Sequence, residues 1–226
     1  LSGETAHRWN TLNTSALDQK ANADMKRDQY RWSGCCVGAT CAGWTGLNVL
    51  HAVTYDMDKA LGTDYHERLK KYFAYVEDNA LALAGCITDA KGNRALSPSQ
   101  QKNKDSNLHV VETREDGIVV RGYKIQIVGV SAANEIIVVP GGGYKEADKD
   151  FCVAFATPRD TEGLTIIETR RPSDERSEQE GWDAPDGYGA TQSYLLFDNV
   201  FIPNDRIFMN GEFKYSGAII GNFAAI

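Results

Sequence analysis

Hydrophobic positions change their period once along the chain, near residue 101. Before that point they recur at helical spacing. Leu17, Met25 and Tyr30 are the apolar contacts of a charged, amphipathic segment from Ser15 to Trp32. Ser15 as N-cap with Asp18 three residues on makes an imperfect capping box; residues 1–16 are polar and predict an extended arm. Leu47, Leu50, Val53, Met57 and Leu61 fall three and four residues apart. They predict a helix over 37–61 with one buried stripe, stopped by Gly62 as a C′ glycine. Asp64 then suits the N-cap of a third helix over about 65–83, with Leu69, Phe73, Val76, Leu81 and Leu83 inward.

Beyond residue 101 the apolar residues alternate or form short β-branched blocks. Segments 108–113 and 118–125 flank Arg114-Glu115-Asp116-Gly117, a hairpin signal ending in Asp-Gly. Further strands are predicted over 135–139, 151–156, 164–168 and 194–197. Six short strands with turn chemistry between them predict an antiparallel barrel or sandwich. Residues 170–189 are charged, Gly-rich and Pro-containing, which predicts a long surface excursion; the acidic run Asp174 to Glu180 suits a solvated face. A new helix begins near Lys214, with Phe213, Tyr215, Ile219, Ile220, Phe223 and Ile226 as an apolar set larger than an isolated end helix needs. The expected class is therefore α+β: a helical domain over 1–86, a β-domain over 87–205 and the start of a second helical domain over 206–226.

The stretch Thr88 to Gln101 lies at the seam of these two halves. It has almost no hydrophobic period, one Gly, one Pro and many short hydrogen-bonding side chains. Its backbone has no ladder to pair with, so it belongs on the surface or around a polar cavity. It is either a plain interdomain loop or the rim of a ligand cleft.

Composition narrows the function classes. A formal net charge of −7 gives no basic footprint for nucleic acid. No apolar run is long enough to cross a bilayer, and the first residues lack a signal-peptide pattern. A cytoplasmic setting with free thiols is expected, since the five cysteines are an odd number in a chain too large to need staples. Cys35, Cys36 and Cys41 cluster without the Cys-x2-Cys repeats of a zinc site. Cys86 and Cys152 have apolar neighbours and suit a core. The chain lacks an initiator Met and stops within a helix-like pattern, so it is expected to be an internal piece of a longer polypeptide. His51 and His66 suit structural helix contacts. Trp32, Trp44 and Tyr55 suit core positions, with a pocket wall as the other use.

Five motifs carry a resemblance. They are Gly62-Thr63-Asp64-Tyr65-His66, Thr88 to Arg94, Arg114 to Gly122, Glu146 to Asp150 and Phe197 to Arg206. In this order the chain resembles the family of 4-hydroxyphenylacetate 3-monooxygenase and 4-hydroxybutyryl-CoA dehydratase, among the acyl-CoA dehydrogenase-like flavoproteins. The likeness runs from about Met25 to the end. It implies FAD held against the β-domain of a homotetramer acting on a small aromatic or acyl-CoA substrate. Carried over, Thr88, Asp89, Lys91, Asn93 and Arg94 match a flavin-binding turn. Ser99 and Gln101 match a second flavin contact, and Gln126, Ile127, Val128 and Gly129 match the strand end facing the isoalloxazine ring. Lys91 and Arg94 can neutralise a pyrophosphate or an anionic ring edge.

Neither branch of the family fits completely. The dehydratase branch adds a [4Fe–4S] cluster with a Cys-x3-Cys pair. Cys41 matches its second Cys, the lone matching ligand position, but Val37 stands at the first and cannot bind iron. A cluster is not expected. Gln192 replaces an active-site Glu and cannot act as a general acid or base. At the substrate positions of the monooxygenase branch the chain has Ala42, Gly46 and Gly85. With Gly43 these predict a roomier cavity. Three readings stand: a flavin-dependent oxidoreductase with a different substrate, a hydroxyacyl-CoA dehydratase relative, and a non-catalytic subunit.

Overall fold

The computed structural model describes residues 11–33, 38–90, 92–168 and 192–225, the side chains of 33 and 38–41 excepted. The excursion expected over 170–189 lies outside these residues, as do Cys35, Cys36, Val37 and Lys91.

Among the described residues three helices come first: α1 (Ala16–Ser33), α2 (Gly38–Leu61) and α3 (Tyr65–Asp78). α1 starts as its capping pattern predicts. Asp18 Oδ2 accepts from both hydroxyls of Thr14 and Ser15, and the Asp18 N–H donates to Ser15 Oγ. α2 buries Leu47, Leu50, Val53 and Met57, but Leu61 is 53% exposed. The stripe ends with the helix, because Gly62 takes φ 71 and turns the chain away.

α3 departs from expectation at both ends. Asp64 makes no side-chain cap and pairs with Arg68 instead. The capping carboxylate is Asp58, in the last turn of α2, which accepts the N–H groups of Tyr65 and His66 and the Thr63 hydroxyl. The helix also stops at Asp78 rather than near 83. Ala80 takes φ 49 and the Leu81 N–H wraps back to Val76 O, a closure for which glycine is the usual marker. Leu83 therefore belongs to a strand.

Among the described residues eight strands follow: β1 (Leu83–Cys86), β2 (His109–Thr113), β3 (Gly117–Val128), β4 (Glu135–Val138), β5 (Val153–Pro158), β6 (Leu164–Glu168), β7 (Gln192–Pro203) and β8 (Ile207–Asn210). They form two open four-stranded sheets, ordered β1-β4-β5-β8 and β2-β3-β7-β6. The sandwich form of the expectation holds and the closed barrel does not. Nor is the pairing all antiparallel: β1 runs parallel to β4, with Leu83 opposite Glu135. β1 and β8 lie just outside the expected block 87–205 yet pair into its sheet. Phe155 on β5 meets Phe197 on β7 edge-on at 6.0 Å, joining the two sheets.

The last helix is α4 (Phe213–Ala225). Its apolar face, larger than an isolated end helix needs, is partly covered within the chain. Ile219 is fully buried, and Phe213, Tyr215 and Phe223 pack on the core. Phe223 lies over Gly46 of α2, where an added Cβ would come 3.7 Å from its ring. Among the described residues no helix is long and apolar enough to cross a membrane.

Candidate functional site

Alternation along β3 turns Val120, Gly122 and Lys124 inward. A buried lysine needs acceptors, and three converge on this one. Lys124 Nζ lies 3.0 Å from Asp89 Oδ1 and donates to Ile87 O at 2.6 Å and Val139 O at 3.0 Å. Those contacts use all three ammonium protons. Just past β1, the chain runs beside β3, with the Ile125 N–H donating to Thr88 O at 2.8 Å. Asp89 Oδ1 also accepts the Leu108 N–H, and Oδ2 accepts the Tyr144 hydroxyl at 3.2 Å. Tyr144 in turn accepts the Gly141 N–H. Burial, reinforced by the Asp89 charge, holds the Tyr144 phenol far above its ordinary pKa. Gly141 must be glycine here, since a Cβ would overlap Asp89 Oδ2.

The loop is tied up by its own side chains. Gln101 Oε1 accepts the Asn93 N–H at 3.0 Å, and Nε2 donates to Asn93 O at 2.8 Å and Leu96 O at 3.1 Å. Gly92 takes φ 44 beneath it, where a Cβ would stand 2.5 Å from Gln101 Oε1. The Ser99 N–H donates to Asp148 Oδ1 at 3.0 Å. Burial pushes the Asp148 carboxyl up, but hydrogen bonds from Ser99, then Ser97 and Lys145, leave it below its ordinary value.

Between this loop and the ion pair lies a cavity of about 300 Å³, lined by Arg94, Leu96, Asn107, Gly141 and Tyr144 with Asp89 at its base. Two groups on the wall have hydrogen-bonding capacity left. The exposed Arg94 guanidinium makes no hydrogen bond or ion pair among the described residues. Asn107 is 4% exposed; its Oδ1 accepts from Ser106 Oγ at 3.3 Å, and its Nδ2 has no partner among the described residues. Because Lys124 neutralises Asp89, Arg94 sets the formal charge of the wall. Spare donors and one positive charge fit an anionic, oxygen-rich group such as the phosphates of a dinucleotide, and the volume admits part of one.

The other expected positions divide into three groups. Thr88, Gln126, Val128 and Gly129 come together along β3. Gln126 takes φ 58 and Gly129 φ 66, and the β3–β7 register breaks between Lys124 and Ile127. A left-handed glutamine inside a strand stores strain of the kind seen at functional sites. Gln192 is exposed and opposite Val128. Asn93 is exposed, its Oδ1 accepting the Ala95 N–H. Asp89, Ser99 and Gln101, expected to contact a cofactor, also build the loop, and Asp89 and Gln101 line the cavity.

A second group is the small-residue cluster, which does not open the roomy cavity expected of it. A Cβ on Gly43 would overlap Leu83 O, one on Gly85 would come 2.6 Å from Ala42 O, and one on Gly46 would come 3.3 Å from Ile137 Cγ2. Ala42, Gly43, Gly46 and Gly85 let α2 lie directly on β1 and β4. The third group is the cysteines. Cys41 is in the first turns of α2, and its side chain lies outside the described residues. Cys86 and Cys152 are buried free thiols, each pushed up to about 12, chiefly by burial, as core cysteines should be. His51 meets His66 edge-on at 4.6 Å, and Trp44 is buried while Trp32 and Tyr55 are exposed.

Sequence reasoning missed Lys124, Tyr144, Asn107, Gly141 and Asp148. For Lys124 the signal was present, as a lysine on the inward phase of a strand. Tyr144 and Asn107 reach the cavity beside Asp89 and Arg94 only through the fold.

Comparison with known proteins agrees with this architecture. The family model described as 4-hydroxyphenylacetate 3-hydroxylase N terminal matches residues 1–209. 4-Hydroxybutyryl-CoA dehydratase/vinylacetyl-CoA-Δ-isomerase of Clostridium aminobutyricum is 40% identical over 227 residues, covering 99% of this chain and 46% of that protein. An oxygen-tolerant archaeal 4-hydroxybutyryl-CoA dehydratase from N. maritimus superposes with a TM-score of 0.91 at 31% identity, covering 98% of this chain and 45% of that one. The oxygenase component of 4-hydroxyphenylacetate 3-monooxygenase, complexed with FAD, shares the fold with a TM-score of 0.69 at 21% identity, over 100% of this chain and 46% of that one. The chain thus spans about half the length of the relatives it matches.

Proposed function

The chain belongs to the 4-hydroxyphenylacetate 3-hydroxylase N-terminal family, and from that premise we propose that the complete protein is a flavin-dependent oxidoreductase acting on a small aromatic or acyl substrate. The observation that carries this reading is the cavity under the seam loop. It presents Arg94, unpaired among the described residues, above an Asp89 already neutralised by Lys124. Arg94 would balance the negative charge of FAD, while Thr88, Gln126, Val128 and Gly129 would border the ring. When bound, the flavin supplies hydride or single-electron transfer. The residues of this chain orient it: Gln101 and Asp148 hold the loop, and the Lys124–Asp89 pair fixes the loop to β3. Gln192, opposite Val128, is the substrate-side position. Residues 87–205 with β1 and β8 form the flavin-binding unit, between a helical domain over 1–86 and the helical start over 206–226. A cytoplasmic homotetramer completes the reading.

A second reading has specific support. The 40% identity to a 4-hydroxybutyryl-CoA dehydratase and the TM-score of 0.91 to another favour a lyase acting on a hydroxyacyl-CoA. Val37 and Gln192 stand against an unaltered dehydratase site. The visible spectrum of the full-length protein separates the readings. Flavin bands alone support the oxidoreductase, added broad iron–sulfur absorbance supports the dehydratase, and no chromophore supports a non-catalytic subunit.

A further inference from the structure

Two of the chain's four histidines meet across α2 and α3. His51 stands on α2 and His66 in the first turn of α3, with ring centroids 4.6 Å apart and ring planes at 62°. Both residues are half-buried, so solvent reaches the pair. The state of one ring follows from its neighbour. The Thr54 hydroxyl has a single proton and gives it to Leu50 O at 2.7 Å. Its 3.1 Å contact with His66 Nδ1 is therefore one in which the imidazole donates. A neutral His66 then carries its proton on Nδ1 and a lone pair on Nε2. Thr54 is fully buried within α2, so the ring is oriented before anything binds. Among the described residues neither His66 Nε2 nor either ring nitrogen of His51 makes a hydrogen bond.

An imidazole ligand needs this arrangement. A histidine on a metal almost always donates its other ring N–H to a fixed acceptor, which sets its tautomer and direction. The spacing agrees. With a metal–nitrogen bond of about 2.1 Å the ring centroid stands about 3.3 Å from the ion, so two ligands about 90–110° apart have centroids about 4.6–5.3 Å apart. The observed separation falls at the near end of that range. The surrounding charge admits a cation. Asp58 accepts the His66 N–H at 2.9 Å and offsets the positive end of α3. Lys70, the cation acting on His51, is paired with Glu67 at 2.6 Å. We propose that His51 and His66 form a two-imidazole site for a divalent transition-metal ion, zinc foremost, bridging α2 and α3. Among the described residues no third His, Cys, Asp or Glu completes a metal-holding group, so water fills the other positions and the ion is exchangeable. Imidazole donors favour zinc, copper and nickel over magnesium and calcium. Neither histidine lines the cavity under the seam loop, and the site is independent of the flavin reading.

The test is a calorimetric titration of the full-length protein, dialysed into metal-free buffer, with zinc chloride and separately with magnesium chloride. One zinc ion per chain is expected to bind in the micromolar range and to raise the melting temperature; magnesium should do neither. Thr54→Val removes the acceptor that sets the His66 tautomer and should weaken zinc about tenfold, the usual loss for an outer partner of a ligand. Thr54→Ser should keep full affinity. His51→Gln and His66→Gln should each weaken zinc at least as much as Thr54→Val and abolish the melting shift. Zinc binding that survives in both histidine variants would put the ion elsewhere and overturn the site. So would magnesium binding as tight as zinc, or no zinc binding by the unaltered protein. Unchanged affinity in Thr54→Val, or equal loss in Thr54→Ser, would overturn the positioning role of Thr54. Should His66→Gln fail to fold, His51→Gln, at a half-exposed position, decides alone.

Discussion

Lys124 Nζ stands 3.0 Å from Asp89 Oδ1, with each side chain 2% exposed. The carboxylate of the seam loop is therefore neutralised from behind, by a lysine 35 residues later in the chain. With Ile87 O and Val139 O on the same ammonium, the pair joins the exit of β1 to β3 and to the end of β4. Burying two charges carries a large desolvation cost. What it secures here is the position of the loop over the cavity.

Lys124→Met should therefore destabilise the fold by about 3–5 kcal/mol, because Asp89 is left charged and unpaired. Adding Asp89→Asn should restore part of the loss. Urea unfolding of the single and double variants measures both. A single variant within about 1 kcal/mol of the parent would mean that the pair does not anchor the loop.

Arg94→Gln and Gln101→Ala should weaken FAD binding by different routes. Arg94→Gln is expected to cost about 1.5–3 kcal/mol of affinity, the range for a contact to a charged group, with the apoprotein melting temperature unchanged. Gln101→Ala should lower apoprotein stability as well, since it releases three backbone hydrogen bonds of the 93–96 turn. Fluorescence titration beside thermal melts distinguishes them; a melting shift in Arg94→Gln would contradict the assignment.

Gly43→Ala tests the packing of α2 on β1. The new methyl would overlap Leu83 O, and backbone cannot step aside as a side chain can. A loss of about 1–3 kcal/mol, the usual cost of overpacking, is expected in thermal or urea unfolding. Full stability would show instead that the helix and strand can part, leaving room for a cavity there.

His51 supplies a pH dependence. Burial, then the nearby His66 and Lys70, lowers its pKa below the ordinary 6.5. A lowered histidine pKa means that the unfolded chain takes up the proton first. Its contribution is thus present above about pH 6.5 and declines as pH falls through the folded-state pKa. His51→Gln should flatten that acid-side decline in stability measured from pH 7.5 to 5, and an identical slope in both proteins would refute it.

Much of the architecture was legible in local pattern. The capping residues of α1, the buried face of α2, the glycine stop at Gly62, the β2–β3 hairpin and the bounds of β6 all follow from side chains within a few residues of one another. The misread ends of α3 show where such reasoning fails. Asp64 is a good capping residue, but Asp58 reaches the free N–H groups first. Leu83-Ala84-Gly85-Cys86 has neither helical nor alternating period, because both faces of this edge strand are covered and three of its four residues are buried.

By itself the sequence determined the change from helical to strand period, the polar seam loop and the family, because these depend on local spacing and on motifs in order. Only the tertiary structure decided which polar groups at the seam are spent and which remain free. Asp89, Ser99 and Gln101 have the chemistry of ligand contacts and also hold the loop, through partners from β3, from residue 148 and from the loop itself. Arg94 and Asn107 remain available because the fold brings no acceptor to either among the described residues. Hydrogen-bond occupancy depends on which distant segments meet, and composition along a single stretch does not encode that.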